Sequence, residues 1–275
     1  MTDIVKGDGT TEAFEPHKLV GSMLRAGVER SVAEQVARDV TREIKDGMST
    51  TEIYKSAFKL LRDEERVIAA KYSMRRAILD LGPTGFPFED YISAVMRAKG
   101  YETQTRVILQ GKCTEHEVDV LLRKDGKAYG AELKFHNTPG FKTDLKTALY
   151  VRARFSDIES HAHAEGAHCA IDGGWLVTNT KFTQNAIDYS MCAGIQLLGW
   201  SYPDVGNLSQ FIHETGVYPI TVLTTLSKKE KSQLLSAGVA LCHSLAEDAD
   251  ALSRIGISGK KQASVIKESV QICKA

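Results

Sequence analysis

Two runs, Glu117-Val118-Asp119-Val120-Leu121-Leu122 and Ala128-Tyr129-Gly130-Ala131-Glu132-Leu133-Lys134-Phe135, stand on either side of Lys124-Asp125-Gly126-Lys127. Both are rich in β formers, and Asp-Gly supplies the positive φ that a tight turn needs, so the stretch predicts an antiparallel hairpin. Alternate residues of a strand share a face, which projects Glu117 with Asp119, and Glu132 with Lys134 about 7 Å apart. If the strands pair, both sets meet at one end of the hairpin. Breaking a phosphodiester requires neutralising the scissile phosphate and making a strong nucleophile from water, and a carboxylate-bound Mg²⁺ or Mn²⁺ does both. Asp119 and Glu132 are the candidate metal ligands. Lys134 is placed to orient or deprotonate the attacking water, or to stabilise developing charge.

Working outward, Phe88 to Lys99 reads as an amphipathic helix with Tyr91, Ile92, Val95 and Met96 on one face, ended by Gly100. Strands are predicted at Thr105 to Leu109, Trp175 to Thr178 and Ile195 to Leu198. A helix near Asp144 to Glu159 is long enough for a crossover, and another at Thr183 to Cys192 is capped by Thr183.

The whole set resembles the PD-(D/E)XK nuclease superfamily, and more narrowly its Mrr-type restriction endonuclease domain. The resemblance is carried by Phe88-Glu89, Gly100-Tyr101, Asp119, Glu132-x-Lys134, Gly174-Trp175-Leu176-Val177-Thr178-Asn179 and Phe182-Thr183-x-x-Ala186. It implies DNA cleavage of restriction or defence type, with Asp119, Glu132, Lys134, Glu117 and Glu89 as the catalytic set and Glu89 approaching the metal through water. At the place of the motif's proline stands Val118.

Upstream, Gly7-Asp8-Gly9-Thr10 separates Ile4-Val5-Lys6 from Thr11-Glu12-Ala13-Phe14 as a second hairpin. Pro16 suits a first helical turn, Ser31 with Glu34 and Ser49 with Glu52 are spaced as capping boxes, and Gly47 closes the helix between them. Residues 4–81 resemble the ATP-cone family through Val5-Lys6-x-Asp8-Gly9, Glu12 with Phe14, Pro16-x-Lys18-Leu19, Ser49-Thr50-x-x-Ile53 and Ala70-x-Tyr72. The resemblance implies a site for ATP or dATP as an allosteric ligand, formed by Val5, Lys6, Glu12, Lys18 and Thr50, with the lysines facing phosphate. Gly7 replaces the family's usual arginine after the hairpin lysine. No G-x-x-x-x-G-K-[ST] occurs in the chain, so the nucleotide is a ligand rather than fuel.

Lys142, Lys146, Arg152 and Arg154 form a basic run opposed only by Asp144, and two readings stand: a DNA-backbone contact or a solvated helix face. His161, His163, His168 and Cys169 read as a loop with surface histidines rather than a zinc site. From Leu226 the tail loosely resembles helix-hairpin-helix domains, with Ile255-Gly256-Ile257-Ser258-Gly259 as the turn and Lys260, Lys261 and Lys267 as added charge for DNA. A helical cap or dimer interface built on Leu234, Leu235, Leu241, Leu245 and Leu252 is the other reading.

Lys plus Arg number 35 and Asp plus Glu number 35, so no global field draws in nucleic acid, and any such partner is held by local patches. The five cysteines are scattered, odd in number and without a C-x-x-C pair, so they suggest neither a disulfide framework nor a four-thiolate zinc site and fit a reducing compartment. No run approaches the roughly 18 apolar residues of a membrane span, and Met-Thr-Asp-Ile-Val-Lys has no signal-peptide character. The expectation is a cytoplasmic homo-oligomer of multi-domain α/β class. It comprises a mainly helical cone with an N-terminal hairpin (1–82), a restriction-endonuclease-like mixed sheet flanked by helices (83–205) and a small all-α domain (206–275). A rival reading keeps this architecture and gives up hydrolysis: an ATP- or dATP-responsive DNA-binding regulator built on an inactive nuclease fold.

Overall fold

The computed structural model describes all residues except 1, 65, 83, 139, 166–170, 249 and 275, and leaves out the side chains of 63, 64, 66, 67, 162–165, 246 and 274 as well. His168, Cys169 and the side chain of His163 therefore lie outside the described residues. The chain forms two compact units, one of Met1–Asp80 with Tyr218–Ala275 and one of Leu81–Val217.

In the first unit, β1 (Asp3–Val5) and β2 (Thr11–Ala13) form the antiparallel hairpin, followed by α1 (Pro16–Arg25) and α2 (Arg30–Glu43). A third strand, β3 (Met48–Ser49), pairs in parallel with β1 and leads into α3 (Thr50–Glu64), α4 (Arg66–Tyr72) and α5 (Met74–Leu79). Ser49 and Glu52 do cap α3 reciprocally, the Ser49 amide reaching Glu52 at 2.8 Å and the Glu52 amide reaching Ser49 Oγ at 3.2 Å. The cap of α2 differs from expectation. Its N-cap is Glu29, whose carboxylate accepts from the Ser31 amide, so Ser31 lies inside the first turn. A carboxylate there satisfies an orphan donor and opposes the positive end of the helix dipole. Likewise α2 ends at Glu43, and Gly47, with φ 77°, turns the chain into β3 instead of closing the helix. Met23, Val28, Ala33, Val36, Val40, Ile53 and Leu61 form the core.

The second unit opens with α6 (Phe86–Ala98), whose face of Tyr91, Ile92, Val95 and Met96 is buried. It packs on β4 (Glu102–Gln110), followed by β5 (Glu115–Lys124) and β6 (Lys127–Lys134). Asp125 and Gly126 take positive φ of 53° and 75° in the turn between the last two, as two-residue hairpins demand. Next come β7 (Lys142–Thr143), α7 (Leu145–Glu165), β8 (Gly173–Thr178), β9 (Lys181–Phe182), α8 (Gln184–Ala193), β10 (Ile195–Leu198) and α9 (Leu208–Thr215). The main sheet runs β10-β8-β6-β5-β4, parallel on the β6 side and antiparallel on the β4 side, with α7 as the crossover from β6 to β8. Fully buried Phe155 of α7 lies against Gly130 of β6 and Gly174 of β8, where a Cβ would meet its ring at 2.8 and 2.1 Å. Only glycine lets the ring come that close. This unit runs past 205 to Val217: α9 packs on α6, and the Tyr91 hydroxyl donates to the Val217 carbonyl at 2.8 Å.

The remainder of the first unit is a 3-10 turn at Ile220–Val222 and four helices, α10 (Lys228–Ser236), α11 (Cys242–Glu247), α12 (Asp250–Arg254) and α13 (Gly259–Lys274). Leu234, Leu245 and Leu252 are fully buried within it, so they serve as core of a helical cap and are not free for a dimer interface. Buried Glu268 accepts from the amides of Thr224 and Thr225 at 2.8 and 2.9 Å, which holds that loop in place. Among the described residues no helix is long and apolar enough to cross a membrane.

Candidate active site

The ladder between β5 and β6 stops at Val120↔Ala131. Beyond that pair the strands diverge, β5 staying with β4 (Val118↔Val107) and β6 with β8 (Glu132↔Leu176). Asp119 and Glu132 are the first residues past the fork. Where the ladder has opened, the side chain of Asp119 takes over, its Oδ2 accepting from the Leu133 amide at 2.7 Å. On the other edge of β5, pairing with β4 is interrupted at Asp119 and Arg106, between Thr105↔Val120 and Val107↔Val118. Arg106 takes a left-handed φ of 55° there, a conformation costly for a residue with a side chain and common at functional sites. It donates to Glu89 at 3.1 Å and Asp90 at 2.9 Å.

Glu132 is only 3% exposed. Lys134 Nζ holds its Oε1 at 2.5 Å, and Arg154 Nη1 of α7 donates to its Oε2. The Arg154 guanidinium also donates to the Glu117 carbonyl at 2.9 Å and to the Tyr150 hydroxyl, and lies over the Tyr150 ring at 4.7 Å. Burial, and after it the neighbouring Glu132 carboxylate, push the Asp119 carboxyl up to about 6. Burial raises Glu89 as well, against the pull of Arg106.

The structure thus brings Asp119, Glu132 and Lys134 together, with Glu89 close enough to act on the charge of Asp119. Glu117 has an exposed side chain and meets the cluster through its carbonyl. Among the described residues no group of three or more His, Cys, Asp or Glu forms a ready-made metal cage. Two acids at a widened strand fork suit a small hard ion that keeps several waters and takes one or two carboxylates from the protein. Burial first and the Glu132 carboxylate second raise Asp119, and a cation bound between the two acids would oppose both.

The basic run does not form one face. Lys142 and Lys146 are exposed, Arg152 is paired with Glu159 at 2.8 Å, and Arg154 turns inward. Arg154 as a partner of Glu132, with Tyr150 and Arg106, is what sequence reasoning missed. The basic run offered Arg154 only as a surface charge, and Arg106 carries no local motif. In the tail Lys260 is exposed, while Lys261 is paired with Glu230 at 2.5 Å.

In the other unit, parallel pairing of Val5 with Ser49 brings Thr50 beside the end of β1 at Lys6. Lys6 meets Glu12 at 2.8 Å, and Lys18 meets Glu15 at 2.8 Å and Glu12 at 3.4 Å. That pairing, with Lys6 first, holds the Glu12 carboxyl below its ordinary range. Val5, Lys6, Glu12, Lys18 and Thr50 therefore share one end of the small sheet.

Three family descriptions match the chain: the ATP cone domain over residues 2–80, the restriction endonuclease domain over 83–200 and the AF1548-like C-terminal domain over 218–273. An uncharacterized protein of Archaeoglobus fulgidus is 38% identical over 182 residues, covering 66% of this chain and 99% of its own. A crystal structure of a protein of unknown function, AF1548, matches with a TM-score of 0.57 at 36% identity, over 70% of this chain and 99% of that one. Can2 from Sulfobacillus thermosulfidooxidans, solved in complex with cyclic tetra-adenylate, matches with a TM-score of 0.32 at 11% identity over 72% of this chain and 50% of its own, a likeness too slight to build on.

Proposed function

Because this chain belongs to the AF1548-like family and carries a restriction endonuclease domain behind an ATP cone, we propose that it is a nucleotide-regulated, divalent-cation-dependent DNA endonuclease of restriction or defence type. One observation carries this reading: Asp119 and Glu132 sit together where β5 and β6 part, inside a domain of that family, with Lys134 bound to Glu132.

In this reading Asp119 and Glu132 hold Mg²⁺ or Mn²⁺, with Glu89 acting through water. An ion held there would lower the pKa of a water it binds and neutralise charge on the scissile phosphate. The Leu133 amide holds Oδ2 of Asp119 and so fixes the carboxylate that would take the ion. Lys134, held by Glu132, orients the attacking water or meets the charge that develops on phosphate oxygen. Lys142 and Lys146 in the second unit, and Lys260 and Lys261 in the first, are separate candidate contacts to DNA phosphate. ATP or dATP sits on Val5, Lys6, Glu12, Lys18 and Thr50 and modulates cleavage in a cytoplasmic homo-oligomer. Coupling of about 1 to 3 kcal/mol is typical between such sites.

The test is plasmid cleavage with Mg²⁺ by the parent chain, Glu132→Ala and Lys134→Ala, each with ATP, dATP or no nucleotide. The parent is expected to cleave and both variants to lose cleavage by at least about a hundredfold. Variants as active as the parent would remove this active site, and identical rates with and without nucleotide would remove the regulation.

A further inference from the structure

A cavity of about 320 Å³ lies within the first unit, walled by α3, α5, the 3-10 turn and α10. Among the described residues its lining carries the cationic side chains Lys55, Arg62, Arg76, Lys228 and Lys231 and the acid Asp80. Arg76 and Asp80 approach each other at 3.5 Å, and Lys55, Lys228 and Lys231 stand on the walls around them. One wall is aromatic: Tyr54 and Phe58 line it, stacked on each other at 6.0 Å, with Tyr72 stacked behind Tyr54 at 5.3 Å. We propose that this cavity binds a nucleoside phosphate, its phosphates between Lys55 of α3 and Lys228 and Lys231 of α10, its base against Phe58 and Tyr54.

The volume falls at the lower end of small-molecule sites, the size of one nucleotide. Gathering several cations around one hollow is unfavourable unless an anion fills it, and phosphate offers the most acceptor oxygens for ammonium and guanidinium groups. Burial holds the Lys231 amine below the ordinary lysine range, against the opposing pull of Asp80 and Glu268, and it donates to the Thr221 carbonyl at 2.6 Å. The tail wall is already set, since Thr221 Oγ1 donates to the Ala77 carbonyl at 2.7 Å and Glu268 fixes Thr224. A preformed wall spares a ligand the cost of ordering it. This is not the hairpin site: none of Lys6, Glu12, Lys18 and Thr50 lines the cavity, and Lys228 and Lys231 lie outside the stretch matched to the ATP cone. A ligand here would tie α10 to α3 and stabilise the unit.

Calorimetric titration of the full chain with ADP, pyrophosphate and adenosine tests this, in the parent and in a Lys6→Ala, Lys18→Ala background. ADP is expected to bind in that background, Lys55→Ala and Lys228→Ala each to weaken it about tenfold, and Phe58→Ala to weaken ADP but not pyrophosphate. ADP binding unchanged by Lys55→Ala and Lys228→Ala, or no binding at all, would overturn the site. Pyrophosphate bound as tightly as ADP would overturn the nucleoside assignment. If the hairpin reading alone fails, substituting Lys6 and Lys18 leaves binding untouched, whereas Lys55→Ala or Lys228→Ala still weakens it about tenfold.

Discussion

Arg154 donates to Oε2 of Glu132, the carboxylate assigned to the metal, while Lys134 occupies Oε1. The pair is nearly sealed from water, with 15% and 4% of the two side chains exposed. Arg154→Ala leaves Glu132 Oε2 without its charged donor while Lys134 still holds Oε1, so it should cost the metal-free protein about 2 kcal/mol. A divalent ion that replaces the guanidinium would recover part of this loss. Arg152, paired with Glu159 and 32% exposed, is the control, and Arg152→Ala should cost about 1 kcal/mol or less. Urea melts with and without Mg²⁺ read both effects. Equal costs for the two variants would contradict the role given to Arg154.

Asp119 makes the site sensitive to pH. Its folded-state value of about 6 lies above the ordinary 3.8, so the folded chain holds this proton more tightly than the unfolded chain does. The penalty for ionised Asp119 is therefore fully present above about pH 6 and disappears as pH falls toward 4. Asp119→Asn, which keeps an acceptor for the Leu133 amide, should stabilise the metal-free protein at pH 8 by on the order of 1 kcal/mol after allowance for solvent screening. At pH 4 it should add nothing. Denaturant midpoints at the two pH values check the sign, and a gain at pH 4 equal to that at pH 8 would count against it.

Protons and metal should compete for the same carboxylate. Affinity for Mg²⁺ is expected to be flat above pH 7 and to fall about tenfold per pH unit well below the Asp119 value. Metal titrations followed by thermal shift measure this, and affinity independent of pH between 5 and 8 would exclude Asp119 as a ligand.

Phe155 against Gly130 and Gly174 sets how closely α7 approaches the sheet. Gly174→Ala puts a methyl where the ring stands and should cost about 3 kcal/mol. Shrinking the ring relieves that overlap, so Gly174→Ala with Phe155→Leu should cost clearly less than the two single changes added together. A double-mutant cycle by chemical denaturation measures the coupling, and strict additivity would mean the ring moves aside freely.

Much of this was readable along the chain. The two hairpins, the strands of the mixed sheet, the Thr183 cap and the buried face of α6 are local matters, set by alternation, turn chemistry and helical period over a few residues. So was the placing of Asp119 opposite Glu132, because a two-residue turn determines register. Less visible were the Glu29 cap in place of Ser31 and the short strand after Gly47. Side chains separated by two or three residues compete for the same orphan amide, and a two-residue strand exists only because β1 offers it an edge.

Pattern and turn type along the chain thus dictated which acids reach the fork between β5 and β6. Packing alone decided what neutralises them. Arg154 is brought to Glu132 by a crossover helix whose path is set by a ring seated on two glycines, and Lys228 meets Lys55 because the tail folds into the first unit. Contacts of this kind depend on how separate elements pack in space, and spacing within one strand or helix carries no record of them.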